Sequence, residues 1–582
     1  MAAITRCWCS ANRTRPAREL TNNGQNRPWT LPETLSPNGL SGHVPPAIAQ
    51  VLIKRGIDTT EKLNTLLDPP HRLPYDAMRI AGMDAALKRL YAAVNTREHV
   101  GVFGDFDVDG ITGTAIISEG LTSLGVQVTP YLPHRLDEGH GLSNAAIDNL
   151  AGQGVTLIVT VDCGITAFHE VDYAKSKGVD IIITDHHLPH DGVPDAVASL
   201  NPKVPGGNYP FFDLCGAGLG FKLIQGLYEF YGQPWDPGLL ELAALGTIAD
   251  LVPMLDENRF LVREGLREMA NTRRPGLLAL YSSARVDPDE ITAETVSFQI
   301  APRLNSAGRL GDPMDSFRLL TTASPEEAGT LTHKLESLNQ ERRAVTEEAF
   351  AKANQQVEDM EELPALIVIA DEGFPRGVAG LIAGRLVDRY RRPAIVLAVE
   401  GEYSVASGRS IPEFNIVAAM ESCEDLLVRF GGHSQAAGLT IATSAIPQLK
   451  SRLEAYSALP GEHQGLERTI EVDSVIDLSE MDDEAVRWID DLEPYGPGNT
   501  RPVFACMGAN VLEFAHMGRE QQHLRLRVEM GGAQFTALGF NQGDKWQPST
   551  QQVDLAFTVT KDSFRGKGAI ALRLLDFRTS QA

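Results

Sequence analysis

Asp105-Phe-Asp107-Val-Asp109-Gly110 and Thr184-Asp185-His186-His187 place three carboxylates in one short stretch and a carboxylate with two imidazoles in another. Oxygen donors with one or two imidazoles suit hard or borderline divalent ions such as Mn²⁺ or Mg²⁺, whereas structural zinc more often recruits thiolates. Carboxylates confined to one small volume repel one another unless cations neutralise them, and two ions about 3.5–4 Å apart form a clamp for phosphoryl transfer. The pattern reads as a two-metal hydrolase centre. Each stretch alone has an ordinary explanation, since Asp-Val-Asp-Gly is a common solvated turn and a His-His pair is common loop surface. The conjunction with two further acids, Asp162 and the Asp250 of Gly246-Thr-Ile-Ala-Asp250-Leu-Val-Pro253, is what carries the reading.

Three short apolar, β-branched runs lead into these acids: 99–104 before Asp105, 156–161 before Asp162 and 180–184 before Asp185. Their length and composition are those of buried parallel strands. Ligands of an open α/β sheet collect beyond the carboxyl ends of its strands, so three such ends are expected to converge on one crevice. Residues two apart on a strand share a side, so Asp107 and Asp109 should grip one site if extended geometry carries into the loop, with Gly110 allowing a tight turn. Amphipathic segments at 110–124, 144–151 and 167–177 alternate with the strands. That alternation predicts a parallel sheet with helices on both faces, and a helical region from about 215 to 285 brings in Asp250.

Ahead of the sheet, Ile48, Val51, Leu52, Leu63, Leu66 and Leu67 keep helical spacing until Pro69-Pro70. Ser324-Pro325-Glu326-Glu327 is a capping box with proline at the first helical position, and Leu331, Leu335, Leu338 and Val345 continue one face to about residue 357. This predicts a long connecting helix whose Glu341-Arg342-Arg343 face is solvated. Strand-like runs at 365–369 and 393–398 flank a helical 378–390 stretch and open a second α/β domain. Its Gly431-Gly432-His433 loop offers backbone amides that could approach a phosphate and an imidazole able to donate a hydrogen bond or a proton. From about 465 the pattern alternates: His523, Arg525, Arg527 and Glu529 oppose Leu524, Leu526, Val528 and Met530, and Phe564-Arg565-Gly566-Lys567-Gly568 reads as a hairpin tip. Short strands with aromatics and cations suit an OB-fold, with Phe535, Phe540 and Trp546 as candidate base platforms, although core packing is the simpler role for each.

The chain has 582 residues, 43% of them hydrophobic, and no long apolar run, which fits a soluble cytoplasmic protein of three or four domains. A formal charge of −24 excludes a broad basic coat for nucleic acid, so a phosphate backbone would have to follow a narrow stripe of Arg and Lys. Six cysteines, at 7, 9, 163, 215, 423 and 506, suggest neither a disulfide framework nor a zinc ribbon, and Cys163 reads as a small buried residue at a strand end. Four arginines precede Glu19 without a secretory apolar region, the pattern of an unstructured tail or a misplaced start rather than a targeting segment.

The acid and histidine motifs, in this order, closely resemble the DHH phosphoesterase family, named for the triplet seen here as Asp185-His186-His187. The resemblance covers nearly the whole chain after about residue 45. It continues through Pro133-His-Arg135-Leu-Asp-Glu138-Gly139-His-Gly141, Ala301-Pro-Arg303-Leu-Asn305-Ser306-Ala-Gly308-Arg309, Ser407-Gly-Arg409-Ser410 and the segment from Gly431 to Gly438, which resemble the bacterial branch that degrades single-stranded DNA from its 5′ end. It implies that Asp107, Asp109, Asp162, His186 and Asp250 hold two Mn²⁺ or Mg²⁺ ions, with Asp105, Asp185 and His187 as immediate catalytic neighbours that orient ligands, approach the phosphate or complete a metal's coordination. Arg135, Arg303, Asn305 and Arg309 are implied as phosphate or nucleotide contacts, and Ser407, Arg409, Ser410, Gly432 and His433 as the part meeting the terminal phosphate and scissile nucleotide. Where many relatives carry Trp-His, this chain has Phe374-Pro375 followed by Arg376, a candidate substitute for the lost positive charge.

The implied division is a tail over 1–45, a catalytic domain with helical lead-in over 46–322, a connecting helix over 323–360, a smaller α/β substrate-binding domain over 361–462 and a β-rich OB-like domain over 463–582. The implied partners are single-stranded DNA, a single-strand-binding protein and a helicase, with no membrane. Relatives that cleave short oligonucleotides, cyclic dinucleotides or pyrophosphate share the acid and His motifs but usually lack a strand-rich C-terminal module. A catalytically silent binding scaffold would show eroded ligand positions, whereas every one is filled here.

Overall fold

The computed structural model describes residues 28–33, 39–40, 42–67, 75–135, 137–189, 192–458, 469–561 and 570–580. The arginine-rich start with Cys7 and Cys9, the Pro69-Pro70 break and the 564–568 hairpin tip lie outside the described residues. Helix α1 (Pro46–Lys54) precedes a sheet of five strands, β1 (His99–Gly104), β2 (Gln127–Tyr131), β3 (Leu157–Val161), β4 (Asp180–Thr184) and β5 (Ala198–Leu200). All pairings are parallel, in the order β2-β1-β3-β4-β5. The winding changes sides between β1 and β3, a topological switch point where strand ends leave a crevice. Gly104 pairs with Val161 and Val161 with Thr184, so the next residues, Asp105, Asp162 and Asp185, leave the sheet at one level.

One face of the sheet is covered by helices α2 (Val108–Ser123) and α3 (Gly216–Tyr231), on which α4 (Leu239–Ala249) packs, and the other by the helices at 144–152 and 168–176. Helices α2 and α4 are buried almost all round, which matches their lack of a polar stripe. Helix α5 (Ala301–Leu310) then packs on α6 (Pro325–Glu358), the long connector. Ser324 accepts from the Glu327 amide at 3.2 Å, but the Glu327 carboxylate takes the Thr322 hydroxyl, so only half of the expected capping box forms.

The second sheet orders β9 (Leu427–His433), β10 (Ala436–Ala442), β8 (Tyr403–Arg409), β7 (Ala394–Glu400) and β6 (Ile367–Asp371), with helix α7 (Ala379–Tyr390) packed on β7 and β8. Only β6 and β7 run parallel to each other. At the C-terminal end, β11 (Phe504–Met517), β12 (His523–Met530), β13 (Ala533–Gly539), β15 (Ile570–Thr579) and β14 (Gln552–Lys561) are neighbours in that order, and β14 also pairs with β11. That last pairing closes a barrel.

Two departures concern the start of the chain. Within the expected tail, Trp29-Thr30 pair in parallel with Ile470-Glu471, and the Trp29 indole donates to Asp576 at 3.1 Å beneath the Arg578 guanidinium. The lead-in helix α1 buries Ile48, Val51 and Leu52 in the core of the C-terminal barrel rather than against the parallel sheet. Apolar spacing declares a face without naming its partner. Among the described residues no helix is long and apolar enough to cross a membrane.

Candidate metal centre

Helix α2 starts directly after Asp107, whose Oδ1 caps it by accepting from the Asp109 and Gly110 amides at 3.0 and 3.2 Å. Extended geometry therefore does not persist to Asp109, contrary to the strand-based expectation. Asp107 reaches the crevice as the N-cap, and Asp109 reaches it from the first helical turn. Gly110 sits inside the helix, where a Cβ would lie 2.4 Å from the Asp105 carbonyl oxygen, so the absence of a side chain serves close approach rather than a turn.

Three overlapping sets of donor atoms, each within 4.8 Å of one another, occupy the crevice: Asp105, Asp107 and Asp162; Asp162, His186 and His187; and Asp109, His186 and Asp250. His186 Nε2 stands 3.0 Å from Asp162 Oδ1, 3.6 Å from Asp250 Oδ2 and 3.9 Å from Asp109 Oδ2. Asp162 holds φ +60°, a left-handed conformation uncommon outside glycine and asparagine, immediately beyond β3. Asp250 ends α4 as its C-cap.

Asp109 is anchored to the N-terminus of α3, its Oδ2 accepting from Gly216 N at 2.6 Å and its Oδ1 from Ala217 N at 2.8 Å. A Cβ on Gly216 would fall 2.6 Å from the Asp162 Cβ, so only glycine lets α3 come this close. Asp185 is fully engaged within the protein: Oδ2 accepts from Ile165 N at 2.9 Å, and Oδ1 accepts from the amide and Nδ1 of His187 at 3.0 and 2.7 Å. It orients His187 and leaves Nε2 of that ring for the crevice.

Burial and mutual repulsion raise the clustered carboxyls, a cost that bound cations would relieve. Burial, with Asp105 and Asp109 nearby, pushes the Asp107 carboxyl up to about 6, and burial with Asp109 and Asp107 pushes Asp250 up to about 9. Burial also raises Asp109 and, together with the neighbouring acids, raises Asp162 well above the carboxylate range. A helix N-terminus stabilises a partly buried anion by up to about 2 kcal/mol, less than the several kcal/mol lost by burying one. Burial holds His186 down at about 3, in the neutral form that ligates. Burial works against charge on His187 as well, but the Asp185 hydrogen bond and charge outweigh it and carry the ring up to about 9. Asp105 Oδ1 and Asp162 Oδ1 are buried without hydrogen-bond partners among the described residues, so the donor set fits divalent cations by its unspent acceptors as well as by its chemistry.

A positive basin adjoins the acids. Arg135 stacks 5.0 Å over the Phe106 ring, Arg309 donates to the Gly377 carbonyl at 3.2 Å, and Arg409 donates to the Gly408 carbonyl at 2.8 Å. None of the three has a carboxylate partner among the described residues. Burial, with Arg135, Arg342 and Arg409 nearby, pulls Arg309 down to about 9. Ser407 shares the half-buried face of β8 with Arg409. His433, at the end of β9, lays its ring parallel to His187 with centroids 5.5 Å apart, joining the second sheet to the acid cluster. Gly432 before it has φ +140°, and a Cβ there would meet the Ala436 carbonyl oxygen at 2.4 Å.

Three of the expected contact residues make hydrogen bonds within the protein. Arg303 donates to Glu336 at 2.6 Å and to the Gln299 carbonyl at 2.5 Å, tying α5 to α6. Asn305 accepts from Val108 N at 3.1 Å and so steadies the acidic loop, while the Ser410 hydroxyl donates to Phe414 O at 2.7 Å within its own loop. Phe374 is a core residue, and Arg376 lies 3.8 Å from Glu400 while its charge opposes that of Arg135.

Sequence reading missed His140, whose Nδ1 is 3.3 Å from Asp105 Oδ2, and Lys203, whose charge bears on His186 and Asp250 from the loop after β5. The Asn201-Pro-Lys203 turn just after a short strand was the available signal for Lys203. Of the proposed platforms, Trp546 is buried and Phe535 packs on the barrel core, whereas Phe540 is exposed beside His523 and Arg573.

Residues 99–247 match the DHH family, N-terminal domain; residues 363–458 match the DHHA1 domain; and residues 472–576 match the RecJ OB domain. The single-stranded-DNA-specific exonuclease RecJ of Bacillus subtilis (strain 168) is 37% identical over 504 residues, 86% of this chain and 64% of that protein, just under two thirds of its length. Its counterpart from Salmonella typhimurium (strain LT2) is 32% identical over 563 residues, 92% of this chain and 96% of that one. Crystal structures of RecJ from Thermus thermophilus in complex with Mn²⁺ and with Mg²⁺ match with TM-scores of 0.82 and 0.76 at 30% and 29% identity. Each match covers 95% of this chain, and 80% and 79% of the other.

Proposed function

The chain belongs to the RecJ family, and on that premise we propose that it is a metal-dependent exonuclease that hydrolyses phosphodiesters of single-stranded DNA in the 5′→3′ direction, in DNA repair and recombination. The observation that carries this reading is the crevice at the sheet's switch point, where donor sets sharing Asp162 and His186 lie beside unpaired arginines and beneath His433. Asp107, Asp109, Asp162, His186 and Asp250 would hold two Mn²⁺ or Mg²⁺ ions, with Asp105 and His187 placed to complete their coordination. When bound there, such ions supply charge neutralisation, an activated water and stabilisation of the leaving oxygen.

The chain's own residues do the positioning. Asp185 fixes the ring of His187, and the α3 amides fix Asp109. Arg135, Arg309, Ser407 and Arg409 receive the 5′-terminal phosphate, and His433 closes over the scissile nucleotide from the second domain. The two α/β domains approach each other at the cluster, where the His433 and His187 ring centroids are 5.5 Å apart, and on this reading the cleft would admit a single strand and not a duplex. The barrel, with Phe540, His523 and Arg573 on its surface, feeds the strand by stacking and charge. The proposed division is a catalytic domain, a connecting helix, a substrate-binding domain and an OB-like domain; three separate cores support it, with α1 packing in the barrel core and α6 contributing to both of the others. A single-strand-binding protein and a helicase would supply substrate in the cytoplasm.

Single-stranded and duplex substrates labelled at the 5′ or 3′ end, incubated with Mn²⁺, Mg²⁺ or chelator, test the reading. Mononucleotides released from the 5′ end of single strands only with metal are expected. Internal ladders or equal loss of duplex would overturn it.

A further inference from the structure

We infer that Asn258 and Arg259 are positioning residues through which the C-terminal barrel holds Asp250 in place, so that metal binding by the Asp109, His186 and Asp250 set depends on a domain outside that set. This rests on the two-metal exonuclease reading and deepens it.

Asp250 ends α4, and only Leu251 to Leu255 separate it from the next helix, Asp256–Ala270. Leu251 takes φ +58° with its side chain exposed, so packing of that side chain does not hold the uncommon backbone conformation. The far end of the loop does. Asn258 is fully buried, and its Nδ2 donates twice, to Pro253 O at 3.0 Å and to Asp213 O at 2.6 Å. Asp213 lies three residues before Gly216, whose amide grips Asp109 together with that of Ala217. One side-chain amide thus sets the spacing between the segment behind Asp109 and the segment behind Asp250. The charges of Asp109 and Asp107 oppose that of Asp250, so the loop must resist their repulsion until cations bind.

The barrel supplies the second hold. Its 491–499 segment, with Leu492 in the barrel core, lies against the same loop. Met254 N donates to Pro497 O at 2.6 Å, a Cβ on Gly496 would stand 3.3 Å from Met254 Cβ, and one on Gly498 would stand 3.4 Å from Pro253 Cβ. Arg259, itself buried, donates through Nη1 to Leu492 O at 2.8 Å and through Nη2 to Asp491 O at 3.3 Å. Carbonyls at the end of the helix Asp483–Asp491 suit a cation. Asn499 closes the segment on itself, its Nδ2 donating to Leu492 O at 3.0 Å and to Pro494 O at 2.8 Å. Groups that orient a ligand from outside the coordination shell govern metal affinity, and here the chain of contacts runs from Asn499 through Leu492, Arg259 and Asn258 to Pro253, three residues from Asp250.

The test is calorimetric titration of Mn²⁺ into the full-length wild type, Arg259→Gln, Arg259→Lys and Asn499→Ser, with thermal melts to identify folded variants. The kcat and KM for 5′-phosphorylated oligothymidylate are measured alongside at rising Mn²⁺. Arg259→Gln and Asn499→Ser should weaken one of the two ions about tenfold and leave the other unchanged, the scale of loss when a ligand's supporting partner is removed, and Arg259→Lys should keep part of that affinity. Saturating Mn²⁺ should restore kcat, with KM for the strand unchanged. A merely structural role would lower the melting temperature without this selective change. Equal weakening of both ions, unchanged Mn²⁺ affinity in the folded variants, or a kcat that saturating Mn²⁺ does not restore would overturn the assignment; Asn499→Ser decides it if Arg259→Gln does not fold. Failure of the two-metal reading would appear separately, as fewer than two Mn²⁺ bound by the wild type or no Mn²⁺-dependent nucleotide release.

Discussion

At the scale of single residues, Asp109 joins two roles: its carboxylate faces Asp250 and His186 while the α3 amides hold both of its oxygens. Asp109→Ala should lower turnover by at least about 10³-fold, the scale lost with one charge-positioning group, while strand binding in an anisotropy assay persists through the barrel. Titration gives a second prediction. Folded-state values of about 9 for Asp250 and for His187 lie above the ordinary 3.8 and 6.5, so their stabilising contribution is complete at low pH and is lost as pH rises through the folded values. His186, depressed to about 3, acts in the opposite sense below its ordinary 6.5. Between pH 6.5 and 9 the chelated protein should therefore melt at progressively lower temperature, and Mn²⁺ should flatten that fall; a melting temperature independent of pH in chelator would contradict it. Residue types and strand-end positions made the acids and imidazoles readable in sequence. Partners remote along the chain were not: Arg303 satisfies Glu336, and Asp107 starts a helix by capping it, neither of which is written in a local motif.

Among elements, the decisive contact is α3 against the acidic loop, where space for a single carbon is lacking. Gly216→Ala would place a Cβ 2.6 Å from that of Asp162 and 3.0 Å from Asp109 Oδ2, so it should cost about 1–3 kcal/mol by overpacking and weaken Mn²⁺ binding measured calorimetrically. Unchanged stability and metal affinity would remove this contact from the account. The parallel strands were legible because buried β-branched runs ended on acids, and α6 because proline and Ser324 marked its start. The partner of α1 was not legible, since the same stripe of Ile48, Val51 and Leu52 would suit either a sheet or a barrel. Nor was the π-helical turn at Val296–Ile300, which follows from packing rather than spacing.

For the whole molecule, segments far apart in sequence are joined: Trp29 pairs with Ile470 and donates to Asp576, and α1 packs in the core of the C-terminal barrel. Removal of residues 463–582 alone should expose the α1 stripe and yield aggregating protein, whereas a fragment spanning 75–458 should stay soluble and retain metal-dependent hydrolysis of short oligonucleotides with weakened affinity for long strands. Equal solubility of the two truncations by gel filtration would contradict this shared core. The net charge of −24 is compatible with a DNA substrate because Arg135, Arg309 and Arg409, without carboxylate partners among the described residues, stand beside the acid cluster. The central claim is that acids and imidazoles from separate strand and helix ends hold paired cations above a phosphodiester. Anomalous scattering at the manganese edge from crystals grown with Mn²⁺ tests it most directly. Two peaks about 3.5–4 Å apart among Asp107, Asp109, Asp162, His186 and Asp250 are predicted; peaks absent from that crevice, or a single peak at saturating Mn²⁺, would contradict it.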